Sequence, residues 1–532
     1  MAKTLQPARM RAAPETPDRR RWWVLVAMVF GLFMPMLDNL VVNVALPTIQ
    51  RDLGSGVSGL QWIIDGYTLT FASFMLTGGA LGDLYGRKRF FLAGLGVFVL
   101  GSLACGLSQD LGQLIVFRAV QGLGAAMLLP GTLSIITATF TGKERGAAIG
   151  IWAAMSGLAV AVGPLIGGWL VEHVSWESIF FVNVPIGIVG ATLAFIVVRE
   201  SRDQSKSRRL DPPGLVTGTA GLFFLVYALI EGNGRGWTDG LILGAFGLAA
   251  ALLVTFFVIE SRREYPMLPL SFFKIPTFAA SNVVAASVFF ALFGSTFFLS
   301  LYLQNVRGYS PVGAGVRLFP FTVMILIIAP IAGRLSDRFG SRWFMTFGTL
   351  ILGAGLALVL RAQPDSSYLT VILPSMIVMG AGMATTMPTM TAAVMASVPV
   401  QRAGVASAAT NTSRELGGVF GIALLGAVVT SAFKSSLVTN LVGAGFPSGA
   451  AHRIVDRAGS AAASGAIDRS TAPPGTSPQT IHAVVDAVHR SYVHAMHVGL
   501  LIAVGFALLA SVVSAVFVRS HVGEAQEAAG GH

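Results

Sequence analysis

Residues 79–92 read GALGDLYGRKRFFL, and residues 333–345 read GRLSDRFGSRWFM. Each places an aspartate between glycines and a basic run, at the point where one long apolar stretch gives way to the next. Asp83 and Asp337 lie 254 residues apart, as do Gly86 and Gly340. A second echo, GLGAAMLLP from Gly122 and GAGMATTMP from Gly380, recurs at an offset of 258. Two independent motifs at nearly one offset mark two homologous halves.

Outward from these turns the chain is apolar. Of its 532 residues, 54% are hydrophobic and 11% charged, whereas soluble domains carry about 25% charged residues. A mean hydropathy of +0.72 and 35 phenylalanines predict a surface that faces lipid. The lone Cys105 allows no intrachain disulfide and no cysteine metal cluster, and reads as a buried thiol. The net charge of +11 is distributed in short clusters between apolar runs, which is the pattern of membrane topology and excludes nucleic acid as a partner.

A spanning helix needs about 20 apolar residues at 1.5 Å each. That length finds fourteen stretches: 22–45, 58–82, 89–107, 111–138, 146–171, 179–198, 214–232, 241–259, 277–303, 312–333, 344–360, 369–396, 404–433 and 498–518. With the N-terminus inside, the inner segments hold 24 Lys and Arg, the outer loops 9, and the spans 3. The positive-inside rule then puts both termini in the cytoplasm. The expected layout is a tail (1–21), a six-helix bundle (22–198), a basic linker with two inserted helices (199–276), a second six-helix bundle (277–518) and a tail (519–532). The second bundle includes an outer loop at 434–495, whose last part puts Ile481, Val484, Val485, Val488 and Tyr492 on one stripe. That reads as an amphipathic helix at the outer interface or over the cavity mouth. Its histidines, His482, His489, His494 and His497, read as a solvated face rather than a metal site.

Several segments carry a resemblance. GALGDLYGRK, the RxxQGxG run at Arg118, Gln121, Gly122 and Gly124, and GPLIGG from Gly163 resemble signatures of the major facilitator superfamily. LDNLVVNVALP from Leu37, WESIFFVNVPIG from Trp176 and YPMLPLSFFK from Tyr265 resemble its fourteen-helix drug:proton antiporter branch, the EmrB/QacA type. The resemblance implies an all-α integral membrane fold, two six-helix bundles plus two inserted helices, working by alternating access. It also implies an antiporter helix carrying Gly150, Gly163, Pro164, Gly167 and Gly168, with Ala159 where the fuller pattern has glycine. A packing kink without a coupling role is the plainer alternative for those small residues.

The repeated turn reads as a conformational latch: Gly79, Asp83, Gly86 and Arg87 in the first half, and a weaker copy with Asp337 and Gly340 in the second. Asp83 is suited to pair with a basic side chain or to cap a neighbouring helix N-terminus. Charges within spans each cost about 2.5–3.5 kcal/mol at the bilayer centre, so they mark function or pairing. Rise per residue puts Asp38, Asp65 and Arg118 at one depth, roughly 10 Å from the outer face, as a proton-coupling group. The second-half counterpart of Arg118 is Met376. Glu415 lies about 16 Å into its helix, near the midplane, and is the expected substrate carboxylate together with Asn411, Asn43 and Gln121. A structural ion pair is the competing reading for Asp38 with Arg118 and for Glu415 with Arg414.

These residues predict a secondary antiporter that exports small lipophilic compounds in exchange for protons at the cell membrane. It needs the proton gradient and no other cofactor, no metal and no partner besides substrate, protons and lipid, and is expected to be monomeric. No GxxxxGK[ST] segment for ATP is found, and no Ser/His/Asp or metal constellation suggests an enzyme. Asp38, Asp65 and Glu415 stand against Arg118, Arg317 and Arg414. That balance favours neutral or monovalent substrates over divalent cations. Two alternatives stay open: a dedicated exporter of a metabolite or lipid on the same scaffold, and a membrane sensor without transport.

Overall fold

The structure, a computed structural model, describes residues 20–53, 57–140, 143–202, 211–263, 266, 268–463 and 478–519. Among the described residues all regular structure is helical, as a bilayer demands of backbone that must satisfy its own hydrogen bonds. The first half comprises α1 (Arg20–Leu53), α2 (Val57–Tyr85), α3 (Arg87–Gly106), α4 (Leu111–Thr139), α5 (Lys143–His173), the single turn α6 (Ser178–Phe181) and α7 (Asn183–Val197). An inserted pair follows, α8 (Pro212–Arg235) and α9 (Gly240–Arg262). The second half comprises α10 (Pro276–Leu301), α11 (Pro311–Phe339), α12 (Ser341–Val359), α13 (Leu373–Ala396), α14 (Ala403–Gly443), α15 (Ser448–Ala463) and α16 (Pro478–Phe517).

All fourteen expected stretches fall in helix, the sixth shared by α6 and α7. Among the described residues, twelve helical stretches are long and apolar enough to cross a membrane. Of the other expected spans, α2 and α5 have 29 and 31 residues, which at 1.5 Å per residue exceeds the hydrocarbon thickness.

The repeat is visible in the packing. The α2–α3 and α11–α12 turns each hold a glycine in the left-handed region, Gly86 at φ 118° and Gly340 at φ 84°, a conformation that side chains with Cβ rarely adopt. A Cβ on Gly122 of α4 would strike the Tyr67 carbonyl of α2, and one on Gly380 of α13 would strike the Phe321 carbonyl of α11. Gly124 against Phe98 and Gly382 against Leu352 repeat the pattern on α3 and α12. Small residues thus let equivalent helices approach at equivalent places in both halves.

Between the halves, α5 packs on α11 and α13, and α14 packs on α2 and α4. The inserted α8 lies against α2 and α14, with α9 outside it on α8. At the end of the molecule that holds Asp83, glycines bring the halves together. A Cβ on Gly150 would sit 2.8 Å from the Ala329 carbonyl, and one on Gly79 2.7 Å from the Gly404 carbonyl.

The 434–495 segment differs from expectation. α14 runs 41 residues to Gly443, and α16 starts at Pro478 and runs 40 residues. The apolar stripe of 481–497 is therefore not a separate interfacial helix but the first turns of the last long helix. Its Val488 and Tyr492 are buried, Tyr492 donates to the Phe298 carbonyl at 2.8 Å, and Asn440 reaches Ser491 at 2.7 Å. At 1.5 Å per residue each helix is roughly 60 Å long, about twice the hydrocarbon thickness, so both project from the end opposite Asp83. His482 and His494 are exposed there, and no metal-holding group occurs among the described residues.

Candidate functional site

Two polar clusters occupy the interior, and one polar turn joins the halves. In the first cluster Asp38 of α1 accepts hydrogen bonds from three side chains on two other helices. Arg118 Nη1 of α4 donates to its Oδ2, Gln121 Nε2 to its Oδ1 at 2.8 Å, and Asn183 Nδ2 of α7 to its Oδ1 at 3.0 Å. Arg118 also donates to Gln121 Oε1 at 2.7 Å and, through Nε, to the Ile63 carbonyl at 3.2 Å. Its guanidinium lies 4.3 Å from the Tyr67 ring centre, a cation–π contact that desolvation strengthens. Both members of the pair are buried, Arg118 at 0% and Asp38 at 1% exposure.

The cluster holds together because each helix offers a polar residue at one depth. On α4 the spacing of Arg118 and Gln121 sets both on one face. Asn183 sits at the α6–α7 break, where its Nδ2 also reaches Ser102 Oγ at 3.0 Å, and Ser102 in turn donates to the Phe180 carbonyl at 2.9 Å. Asn183 and Tyr67 were not among the candidate residues. The signal for Asn183 was present, a lone amide within the apolar run FFVNVPIG.

Asp65 does not join this group. It lies on the other side of α2, partly buried, within electrostatic range of Glu231 on α8, and Glu231 pairs with Arg235 at 2.7 Å. Equal depth along two helices did not bring it to Arg118, because the two side chains leave α2 and α4 in different directions. Gln121, expected beside substrate, bonds Asp38 and Arg118 instead. The side chain of Asn43 lies outside the described residues.

The second cluster surrounds α14. Arg414 donates to Asn411 Oδ1 at 3.1 Å and to Thr391 Oγ1 of α13 at 2.7 Å. Asn411 Nδ2 donates to Ser407 Oγ at 3.3 Å, so this amide links Arg414 to Ser407. Glu415 is partly exposed and makes no hydrogen bond or ion pair among the described residues. Arg414 does not fold back onto it. Tyr67 stands between the clusters, in electrostatic reach of Asp38, Arg118 and Glu415, with its hydroxyl 3.4 Å from the Pro35 carbonyl. Arg317, the third arginine within an expected span, lies 3.6 Å from the Tyr309 ring centre and donates to the Gly313 carbonyl at 2.9 Å. A hydrogen bond from Arg307, with Arg317 beside it, holds the Tyr309 phenol below its ordinary range.

The repeated turn joins the halves. Arg87 Nε donates to Asp83 Oδ1 at 2.8 Å, and Asp83 Oδ2 accepts from the Val405 backbone N–H at 2.9 Å. Arg87 Nη2 reaches the carbonyls of Val400 and Gln401 at 2.8 and 3.0 Å. Asp83 thus both pairs with a basic residue and caps the first turn of α14, where the helix dipole favours an anion. Glu200 receives the N–H groups of Lys88 and Arg89 at 3.1 and 3.2 Å, fixing the start of α3 against the linker. In the second copy Gly340 keeps its turn, but the Asp337 side chain lies outside the described residues. On α5, Gly150 meets α11, while Gly163 and Gly167 meet Leu40 and Val41 of α1 at 2.9 Å from a built Cβ. Gly168 is buried, and the Pro164 side chain lies outside the described residues.

Comparison with known proteins agrees with this arrangement. Residues 28–422 match the Major Facilitator Superfamily. The chain is 37% identical over 425 residues to the multidrug resistance protein Stp of Mycobacterium tuberculosis, covering 80% of this chain and 79% of that one. It is 34% identical over 520 residues to the tetracenomycin C resistance and export protein of Streptomyces glaucescens, covering 97% and 95%. Among solved structures, the human organic anion transporter MFSD10 aligns with a TM-score of 0.59 at 13% identity, over 93% of this chain and all of that one. The last shows the fold alone. By sequence and by fold, the chain belongs to the Major Facilitator Superfamily.

Proposed function

We propose that this chain is a proton-coupled antiporter that exports small lipophilic, neutral or monocationic compounds by alternating access. The observation that carries the reading is the Asp38–Arg118 pair, a buried carboxylate held by a buried guanidinium among Gln121, Asn183 and Tyr67. In this reading Asp38 exchanges its ion pair with Arg118 for a proton as the halves move. Glu415, partly exposed and unbonded, is the group that attracts a lipophilic cation, and competition between proton and cation is antiport in its simplest form. A one-unit pH difference supplies about 1.4 kcal/mol per proton, and 100 mV about 2.3 kcal/mol per charge.

In this reading all fourteen apolar helices span the cell membrane and both termini are cytoplasmic, as the Lys and Arg distribution supports. Two bundles, 22–198 and 277–518, rock about the central site, with 199–276 as linker and inserted pair. The contacts of Asp83 and Arg87 with α14 then close the cytoplasmic end, so this conformation faces outward. The protein works as a monomer, with no cofactor beyond the proton gradient.

A second reading has a specific support. The relatives include Stp, named for multidrug resistance, and one named for tetracenomycin C resistance and export, so a dedicated exporter on this scaffold is the alternative. The range of compounds to which an overexpressing strain becomes resistant separates the two. Dye efflux from everted vesicles, with and without a proton uncoupler, tests the coupling. Efflux unaffected by the uncoupler sinks the proton-antiport assignment.

A further inference from the structure

Arg118 and Arg414, both buried in the helical interior, are held differently. Arg118 has a carboxylate in contact, whereas Arg414 has neutral partners only, Asn411 Oδ1 and Thr391 Oγ1. Its Nε is buried without a partner, and the residue is 4% exposed. The guanidinium lies 5.8 Å from the Trp152 ring centre of α5 and 5.4 Å from that of Phe289 of α10. Trp152 is itself anchored, its Nε1 donating to Thr132 Oγ1 of α4 at 3.1 Å. The site therefore has walls from both halves, α5 on one side and α10, α13 and α14 on the other.

A full positive charge in low dielectric without an ion partner is costly. Hydroxyl and amide oxygens offset part of that cost, and ring faces a little more. Glu415 is the next residue and within electrostatic reach, yet it leaves the helix about 100° away and makes no ion pair with Arg414. The unpartnered Nε is a donor suited to an anionic oxygen, the partner a guanidinium matches best.

We propose that Arg414 is a recognition point for the carboxylate or phenolate oxygen of a lipophilic acid, bound where the two halves meet. The proposal rests on the export reading and widens its substrate class beyond neutral and monocationic compounds. Glu415 opposes the same ligand by like charge and sets the balance between acids and cations. A merely structural Arg414 would affect all ligands alike.

The test uses the purified full-length chain in lipid nanodiscs, with 1-pyrenebutyrate and its methyl ester as probes and fluorescence anisotropy as readout. Wild type is expected to bind the acid, Arg414→Gln to weaken it at least tenfold, and both to hold the ester within twofold of each other. Arg414→Lys is expected to lie between, since an ammonium keeps the charge but not the fork. Glu415→Gln is expected to tighten the acid several-fold. Equal weakening of acid and ester by Arg414→Gln and Arg414→Lys, or a wild type that binds the ester alone, overturns the proposal. If Arg414→Gln does not fold, the lysine variant and the opposite shift in Glu415→Gln decide. Failure of the export reading is distinguishable, because it appears as absent uncoupler-sensitive efflux while acid binding stays intact.

Discussion

The Asp83 carboxylate accepts a hydrogen bond from the Val405 backbone N–H at 2.9 Å, across 322 residues of sequence. The same carboxylate holds Arg87, which reaches past it to the carbonyls of Val400 and Gln401. One charged pair from the first half thereby satisfies both a donor and two acceptors at the start of α14 in the second. The contact exists only while the halves are closed at this end.

Asp83→Asn is expected to fold and to transport poorly. The neutral amide keeps the shape but loses the charge-assisted bonds to Arg87 and Val405, each worth about 1.5–3 kcal/mol. The closed state at this end then loses population by tenfold or more, at 1.4 kcal/mol per tenfold. Initial efflux rates beside a thermal melt check this, and wild-type efflux from the variant removes the latch role.

Gly79→Val is expected to favour the conformation open at this end without disturbing either half. Its Cβ would press on the Gly404 carbonyl at 2.7 Å and on Ala408, both in the opposite half. In a background with Cys105 replaced, a reporter cysteine at Gln401 should react faster with a water-soluble maleimide in the variant. Unchanged labelling refutes the expectation.

The sequence was informative where a property is periodic or repeated. The helices followed from apolar length, and the turn glycines from the 254-residue repeat, which the positive φ of Gly86 and Gly340 explains. Asp38 with Arg118 was legible because two rare charges lay at one depth. Asp65 was misplaced by the same argument, since depth along a helix says nothing of the direction in which a side chain leaves it. Gln121 with Arg118 was legible from the i, i+3 spacing on one helical face, whereas the bond between Asn411 and Arg414 depends on a rotamer that the sequence does not state. The break between α6 and α7 that presents Asn183 has no glycine or proline before it to announce it. Helical continuity through 481–497 was missed because the amphipathic stripe and the following apolar run share one phase.

Asp38→Asn is expected to abolish proton-coupled efflux and to destabilise the fold by about 3–5 kcal/mol, the usual cost of removing one partner of a buried ion pair. Arg118 would then be a buried cation with only Gln121, a backbone carbonyl and the Tyr67 ring around it. Adding Arg118→Gln to Asp38→Asn should recover most of the lost melting temperature, because the uncompensated charge disappears. Efflux should not return with it. Recovery of both stability and coupled efflux in the double variant would falsify a proton-carrying role and leave the pair purely structural.

Glu415→Gln is expected to reduce transport of monovalent lipophilic cations and to spare neutral compounds. The argument is one of charge. Within the expected spans the acids Asp38, Asp65, Glu231 and Glu415 stand with Arg118, Arg317 and Arg414; Asp38 is committed to Arg118 and Glu231 to Arg235. Asp65 stands beside Glu231 at the inserted helix, away from the Arg118 cluster. Glu415 is partly exposed, makes no hydrogen bond or ion pair among the described residues, and is on a helix, α14, that packs against α2, α4 and α8 as well as α10. A single carboxylate balances one positive charge, and a second unpaired charge in low dielectric costs several kcal/mol, so divalent dyes should be exported poorly. Uptake into everted vesicles of a monovalent and a divalent dye of similar size, beside a neutral one, gives the three rates. Equal loss of cationic and neutral transport in Glu415→Gln would assign this residue to proton coupling instead, and robust divalent export by wild type would defeat the charge argument.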